Sequence, residues 1–344
     1  MVTNTAQNAT TTLNIGMLGA ARIGYFGLIQ PAKSLPHIKV HAIAARDPER
    51  ARQYAKKHGI AVVHETYEAL LDDPAIDAIY NPLPNALHCQ WTIRALDAGK
   101  HVLCEKPIAS NADEVRQMTA AAHRNQRVLM EAFHYRYHPL AERMCERVKA
   151  LGRIEHIDIG MCFPLPMLND IRFNYALGGG ATMDVGAYTC NIARLLASAS
   201  DDPALKVLPR VVRAEAKLLR ENVDRAMRVE FEWGNGTTGF IENSLLSRRL
   251  FRISAKVRGS KGELYVLNPV APQIYHQLKT TIDGKTTREK VSGAASYTGQ
   301  LKRFAERIAS GETQSDLSDA LENMTFIDSI YRAAGMPLRG AQSD

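Results

Sequence analysis

Between Leu13 and Ala132, short apolar runs alternate with longer stretches of helical spacing. Leu13–Leu18, Lys39–Ala45, Ala61–Val63, Ile76–Tyr80, His101–Cys104 and Val128–Ala132 read as strands. Several are apolar on both alternating sets of positions, the pattern of a parallel sheet covered on both faces. The spacing predicts helices from Gly24 to about Leu35, disturbed at Pro31, and over Pro48–His58, Thr66–Leu71, Ala86–Ala98 and Ala112–Arg124. Six strands interleaved with helices make a doubly wound α/β unit. Beyond Arg136 the rhythm changes. Ile154–Cys162, Val211–Leu219, Ala226–Trp233, Thr237–Ser244, Leu250–Val257 and Gly262–Leu267 read as strands of a second sheet, separated by turns such as Gly234-Asn235-Gly236. One face of that sheet should cover a cleft; the other, if apolar, suits contact between copies of the chain. Helices opening near Tyr297 and over Leu317–Ala333 follow.

At 344 residues the chain can form two domains. The expected division is a lead-in over 1–12, a dinucleotide-binding unit over 13–135, and a substrate and oligomerisation unit over 136–344. The lead-in is polar and lacks the basic start and apolar run of a signal peptide, so it reads as disordered. No apolar run suits a membrane span. The net charge of +7 comes with arginines spread along the chain, which argues against nucleic acid and suits an anionic small molecule such as a phosphorylated cofactor. The cysteines are odd in number and form no C-x-x-C pair. They read as thiols of a cytoplasmic protein, with no disulfide frame and no metal site.

Gly19-Ala20-Ala21-Arg22-Ile23-Gly24 follows the first strand. It is the dinucleotide fingerprint with Ala21 at the second glycine. Gly19 permits the tight turn, Gly24 permits close helix–strand packing, and the helix amino terminus faces a pyrophosphate. The second strand ends in Ala45-Arg46-Asp47-Pro48. Asp47 before Pro48 reads as a helix cap, which leaves Arg46 for a 2′-phosphate and predicts NADP, with NAD as the alternative should Asp47 take the ribose. Asn81-Pro82-Leu83-Pro84-Asn85 is a stiff loop beside a nicotinamide ribose, with His88 after it. Asn85 could instead cap the next helix, and His88 could be a packed surface histidine. Glu105-Lys106-Pro107 closes the fifth strand. It sets an ammonium at a sheet edge, where it can polarise a substrate oxygen, and the Lys-Pro bond could be cis. Farther on, glycines 178–180 lead to Asp184 and Tyr188, four apart and therefore on one helix face.

The fingerprint, Asn81–Asn85, Glu105-Lys106-Pro107 and Met130-Glu131-Ala132-Phe133, in this order, resemble the Gfo/Idh/MocA oxidoreductases. The resemblance implies a Rossmann domain followed by an open, mostly antiparallel sheet with helices, and NAD(P)-linked chemistry on sugars, polyols or diols. The stretch 178–188 looks like the family's second catalytic motif, and Tyr188 resembles the sugar and dihydrodiol branch. Lys106, Tyr188 and Asp184 are then the expected catalytic group, with Lys106 lowering the tyrosine's pKa. Gly19, Ala21, Arg22, Ile23, Gly24, Arg46, Asn81, Pro82, Leu83, Asn85, His88, Glu105, Lys106 and Arg172 are expected at the cofactor. Phe133, Tyr135, Arg136, Asp184 and Tyr188 are expected at a carbohydrate or diol substrate, in a homodimer or homotetramer joined through the second sheet. Two rivals differ in specific ways. A myo-inositol-type NAD dehydrogenase favours an acidic residue in place of Arg46 and histidine in place of Tyr188. A non-catalytic NADP sensor needs no Lys106–Tyr188 pair.

Overall fold

The computed structural model describes residues 12–165, 167, 169–247 and 251–340. Apart from Thr12, the expected lead-in lies outside the described residues, as does Leu250. The first part runs β1 (Leu13–Leu18), α1 (22–32), β2 (Ile38–Ala44), α2 (Pro48–His58), β3 (Val62–His64), α3 (Tyr67–Leu71), β4 (Ala78–Asn81), α4 (His88–Asp97), β5 (His101–Cys104), α5 (Ala112–Asn125) and β6 (Leu129–Glu131). The strands pair in parallel in the order β3-β2-β1-β4-β5-β6. The winding reverses between β1 and β4, so a crevice opens at their carboxyl ends.

Helix starts follow the polar residues before them. Asp47 accepts from the amides of Glu49 and Arg50, Thr66 from Ala69, and Asn111 from Glu114. α1 does not stop at Pro31. It widens to a π turn over Tyr25–Ile29 and resumes over Gln30–Ala32, so the proline sits just after the widened turn.

The second part runs α6 (Pro139–Lys149), β7 (Ile154–Cys162), α7 (Ala187–Ser198), β8 (Arg210–Arg220), β9 (Val223–Glu232), β10 (Thr238–Ser244), β11 (Arg252–Gly259), β12 (Gly262–Leu267), β13 (Gln277–Ile282), β14 (Lys285–Glu289), α8 (Ser296–Ala309) and α9 (Ser318–Ala333). Its sheet has the order β14-β13-β12-β11-β7-β10-β9-β8. Among the described residues, only β7 and β10 pair in parallel. The β13–β14 hairpin was not expected. Its turn is Asp283-Gly284, both with positive φ (47° and 78°), and β14 is almost wholly exposed, so no apolar alternation marks it.

Met227, Val229, Phe231, Ile241, Val257 and Leu264 are buried on the inner face, in one core with residues of α7 and α9. The outer face is not the apolar surface an interface was expected to need. Arg228 pairs there with Glu242, and Arg252 with Glu242 and Asp158. One late helix packs on the first sheet. Leu301 and Phe304 of α8 sit in the core of the first sheet with Ile15, Met17, Leu28 and Met130.

Candidate active site

Lys106 follows β5 at its carboxyl end, and its bond to Pro107 is cis. Its Nζ donates to Asp184 Oδ1 at 3.0 Å and to the Asp184 carbonyl at 2.9 Å. Arg172 Nε donates to the other carboxylate oxygen at 2.8 Å, and its Nη1 reaches Asp170 at 3.1 Å. Asp184 therefore joins two cations. Burial alone would raise its pKa, but the Lys106 and Arg172 charges prevail and hold it at about 2. Arg172 is pushed up in turn by the Asp184 charge.

The loop carrying Asp184 is fixed from beneath. Gly180 has φ 133°, and a Cβ there would lie 2.2 Å from Asp224 Oδ1. Asp224 accepts from the Thr182 amide and hydroxyl, both at 2.7 Å, from Tyr331 at 3.0 Å and from Arg339 at 3.1 Å. Arg339 Nε also donates to the Gly179 carbonyl at 2.8 Å.

Tyr188 begins α7 one turn beyond Asp184, after a π turn over Thr182–Gly186. Lys106 Nζ lies 4.8 Å above its ring centre. Phe133 and His134 meet the ring edge-on at 5.6 and 6.0 Å. Among the described residues its hydroxyl has no hydrogen-bond partner, and the ring lines a cleft of about 600 Å³. The expected lowering of the tyrosine's pKa is not what the site produces. Burial raises it well above 10, with Tyr297, Glu105 and Asp184 adding to the rise. Lys106 is already matched by Asp184, so its charge does not act on Tyr188 alone. The phenol is thus held protonated, as a donor.

The half of the cleft expected to take a cofactor lies at the carboxyl ends of β1, β4 and β5, with the end of β2 beyond it. Gly19 has φ 77°, and a Cβ on Gly24 would come 2.6 Å from Met17 Sδ, so neither position has room for a side chain without movement. The Ala20 and Ala21 carbonyls of the turn accept from Arg50 and Tyr54, both at 3.0 Å. Arg22 projects into solvent 3.8 Å from Asp170. Arg46 is exposed at the end of β2 with no carboxylate partner among the described residues. Ile23, Pro82, Leu83 and Asn85 line the cleft. This Gly19–Gly24 cradle, with a free cation at the end of β2, fits a phosphorylated dinucleotide.

Several expected contacts are turned elsewhere. Asn81 is fully buried; it donates to the His88 carbonyl and Thr92 and accepts from the Leu83 amide, which shapes the loop from inside. Asn85 does not cap α4 but donates to the Gly178 carbonyl at 3.0 Å, joining the loop after β4 to the glycine-rich loop before Asp184. His88 is not at the surface. It is 1% exposed, with its ring nitrogens 2.8 Å from the Pro107 carbonyl and 2.7 Å from that of Leu83. Burial lowers its pKa to about 4 against the pull of both carbonyls. Glu105 borders the cleft, but its carboxylate accepts from Tyr80 at 2.6 Å. Tyr135 and Arg136, expected at the substrate, point away from the cleft, to Asn191 and Asp319 respectively. Phe133 is buried behind Tyr188. His134 and Tyr297 line the cleft although neither was expected there, and they meet only through the return of α8. Arg50, also not expected, lies four residues beyond Arg46 and holds the Gly19–Gly24 turn through the Ala20 carbonyl.

The oxidoreductase family model with an NAD-binding Rossmann fold, Gfo/Idh/MocA, matches residues 13–133, and its C-terminal domain matches 143–265. D-xylose 1-dehydrogenase (NADP(+)) 2 of Haloferax volcanii is 35% identical over 322 residues, 93% of this chain and 96% of the relative. Trans-1,2-dihydrobenzene-1,2-diol dehydrogenase of Xenopus laevis is 32% identical over 212 residues, 61% of this chain and 62% of the relative. A 3-ketoreductase from Actinomadura kijaniata, solved with NADP and TDP-benzene, superposes with a TM-score of 0.84 at 25% identity, covering 94% of this chain and 98% of that one. With both halves matched in order, this chain belongs to the Gfo/Idh/MocA oxidoreductases.

Proposed function

We propose that this protein is an NADP-preferring dehydrogenase acting on a carbinol carbon of a sugar, polyol or cyclic diol, with an aldose as first choice. The observation that carries the reading is the convergence of Lys106 and Tyr188 on one side of the cleft, 4.8 Å from ammonium to ring centre. The D-xylose dehydrogenase and dihydrodiol dehydrogenase among the relatives support the substrate class. Arg46 and Arg50 supply the cationic end that a 2′-phosphate needs, and Gly19–Gly24 the pyrophosphate turn. When bound, the nicotinamide accepts or donates the hydride. Lys106 hydrogen-bonds the substrate oxygen and stabilises negative charge on it. Tyr188, held as the phenol, gives its proton to that oxygen in reduction; in oxidation the phenol first loses its proton to solvent through the cleft, and the phenolate then takes the proton that leaves the substrate hydroxyl. Asp184 fixes the ammonium, and Arg172 fixes Asp184.

Self-association through the outer face of the second sheet belongs to the same reading. Arg228, Glu242, Arg252 and Asp158 alternate in sign there, a pattern that can meet its own copy about a two-fold axis. Light scattering should show an oligomer at low salt that loosens at high salt.

Purified protein offered NADP or NAD with D-xylose, myo-inositol or a trans-1,2-diol tests the main reading by the absorbance of reduced nicotinamide. Turnover of D-xylose or the diol with NADP is expected. Turnover of myo-inositol alone, with NAD, would overturn it.

A further inference from the structure

His134 stands at the cleft wall with one nitrogen committed and the other free. It is 3% exposed, stacked on Tyr297 at 3.9 Å, with its ring centre 6.0 Å from that of Tyr188. Its Nδ1 lies 2.8 Å from Ser296 Oγ, and that hydroxyl donates to Gln273 Oε1 at 2.9 Å. A hydroxyl that donates to Gln273 is left to accept from the imidazole. Nδ1 therefore carries the proton, and Nε2 carries a lone pair. Nε2 has no partner among the described residues, yet it is not one of the polar atoms sealed away from solvent. In so buried a residue the opening is the cleft that His134 lines. Burial lowers the imidazole's pKa to about 3, with the Lys106 charge adding to the fall, so it stays neutral.

We propose that His134 is a specificity residue, whose Nε2 accepts a hydrogen bond from a second substrate hydroxyl, on the carbon next to the one oxidised. The proposal rests on the dehydrogenase reading above. Lys106 and Tyr188 address one oxygen; a neighbouring neutral acceptor can take only a group that donates. It accepts a hydroxyl and rejects a hydrogen, an ether or a carbonyl at the same place, because none of these satisfies a desolvated lone pair. Ser296 and Gln273 are positioning residues that set the tautomer. They come from different segments, the start of α8 and the loop before β13, so substrate choice is tied to the packing of both.

The test compares D-xylose with 2-deoxy-D-xylose in the NADP-loaded enzyme. The wild type should favour D-xylose in kcat/KM by roughly tenfold or more. His134→Phe keeps an aromatic stack and removes the acceptor; it should lower kcat/KM for D-xylose much more than for the deoxy sugar, so the preference falls to about threefold or less. His134→Gln returns an acceptor and should restore the preference. Equal losses for both sugars in His134→Phe, or no recovery in His134→Gln, would overturn the assignment. Nitrogen NMR of histidine-labelled wild type decides the matter without turnover, even where a variant does not fold. Nε2 should be unprotonated and should shift when D-xylose is added, but not with the deoxy sugar; a protonated Nε2 overturns the proposal. A shift without any turnover would count against the dehydrogenase reading and leave the His134 contact standing.

Discussion

Two aspartates, Asp184 and Asp224, each face an arginine within the same stretch of structure, and they have opposite fates. Asp184 lies at the cleft wall between Lys106 and Arg172, and their charges hold its pKa at about 2 despite burial. Asp224 lies beneath the same loop, fully buried with Arg339, and burial raises its pKa although Arg339, Thr182 and Tyr331 oppose it. The lesson concerns what is left over. Around Asp224 both oxygens are taken up within the protein, and the cluster does no more than hold Gly179, Gly180 and Thr182 in place. Around Asp184, the ammonium and the nearby phenol still border the cleft. A buried ion pair by itself says little about function; atoms facing a cleft beside it say more.

The sharpest way to break this contrast is at Tyr188. Tyr188→Phe keeps the ring and removes the proton carrier, and should lower kcat by roughly 10²–10⁴-fold with NADP affinity and melting temperature nearly unchanged. A near-normal kcat would move the proton step elsewhere. On the Asp224 side the effect should fall on stability. Arg339→Met leaves a buried carboxylate unpaired and should cost about 3–5 kcal/mol in urea unfolding. A loss under about 1 kcal/mol would show that Arg339 does not anchor the loop.

Arg46 extends the comparison to an arginine with no carboxylate partner among the described residues. Arg46→Ala should weaken NADP by about 1.5–3 kcal/mol, read by titration calorimetry, and leave NAD almost untouched. Equal losses for both cofactors would remove Arg46 from the 2′-phosphate. The smallest effect is the pH dependence of Asp184. Its folded pKa is depressed, so its stabilisation is complete above the ordinary carboxylate range and disappears as pH falls through about 2. Asp184→Asn should be less stable than wild type by about 2 kcal/mol at neutral pH, with about half of that gap gone near pH 3. A gap that does not change with pH would mean that Asp184 acts by shape and not by charge.

Much of this was legible in the chain because it is local. The apolar runs, the Gly19–Gly24 turn and the Asp47 cap are set by residues near one another, and the first sheet follows from them. The same holds for Lys106 at a strand end. What escaped was written in polar or distant residues. β14 carries no apolar alternation because it is an exposed edge. Tyr135 and Arg136 follow directly on the Met130–Phe133 motif, but their partners, Asn191 and Asp319, are far along the sequence. The raised pKa of Tyr188 comes first from burial, with Tyr297, Glu105 and Asp184 adding to it, and spacing along the chain cannot show how deeply the ring is covered or that Tyr297 returns to it. His134 carried no mark of a site because Ser296 and Gln273 lie more than a hundred residues away.

The return of α8 to the first sheet also bears on how the chain is made. Leu301 and Phe304 complete a core that begins at Ile15, so the nucleotide-binding half cannot close its apolar interior while it is the only part synthesised. Its strands can pair early, but that part of the core stays open to water until the second sheet has been built and α8 has emerged. The intervening strands must therefore form beside an unfinished neighbour, and a chain truncated before Ser296 should present that surface to chaperones.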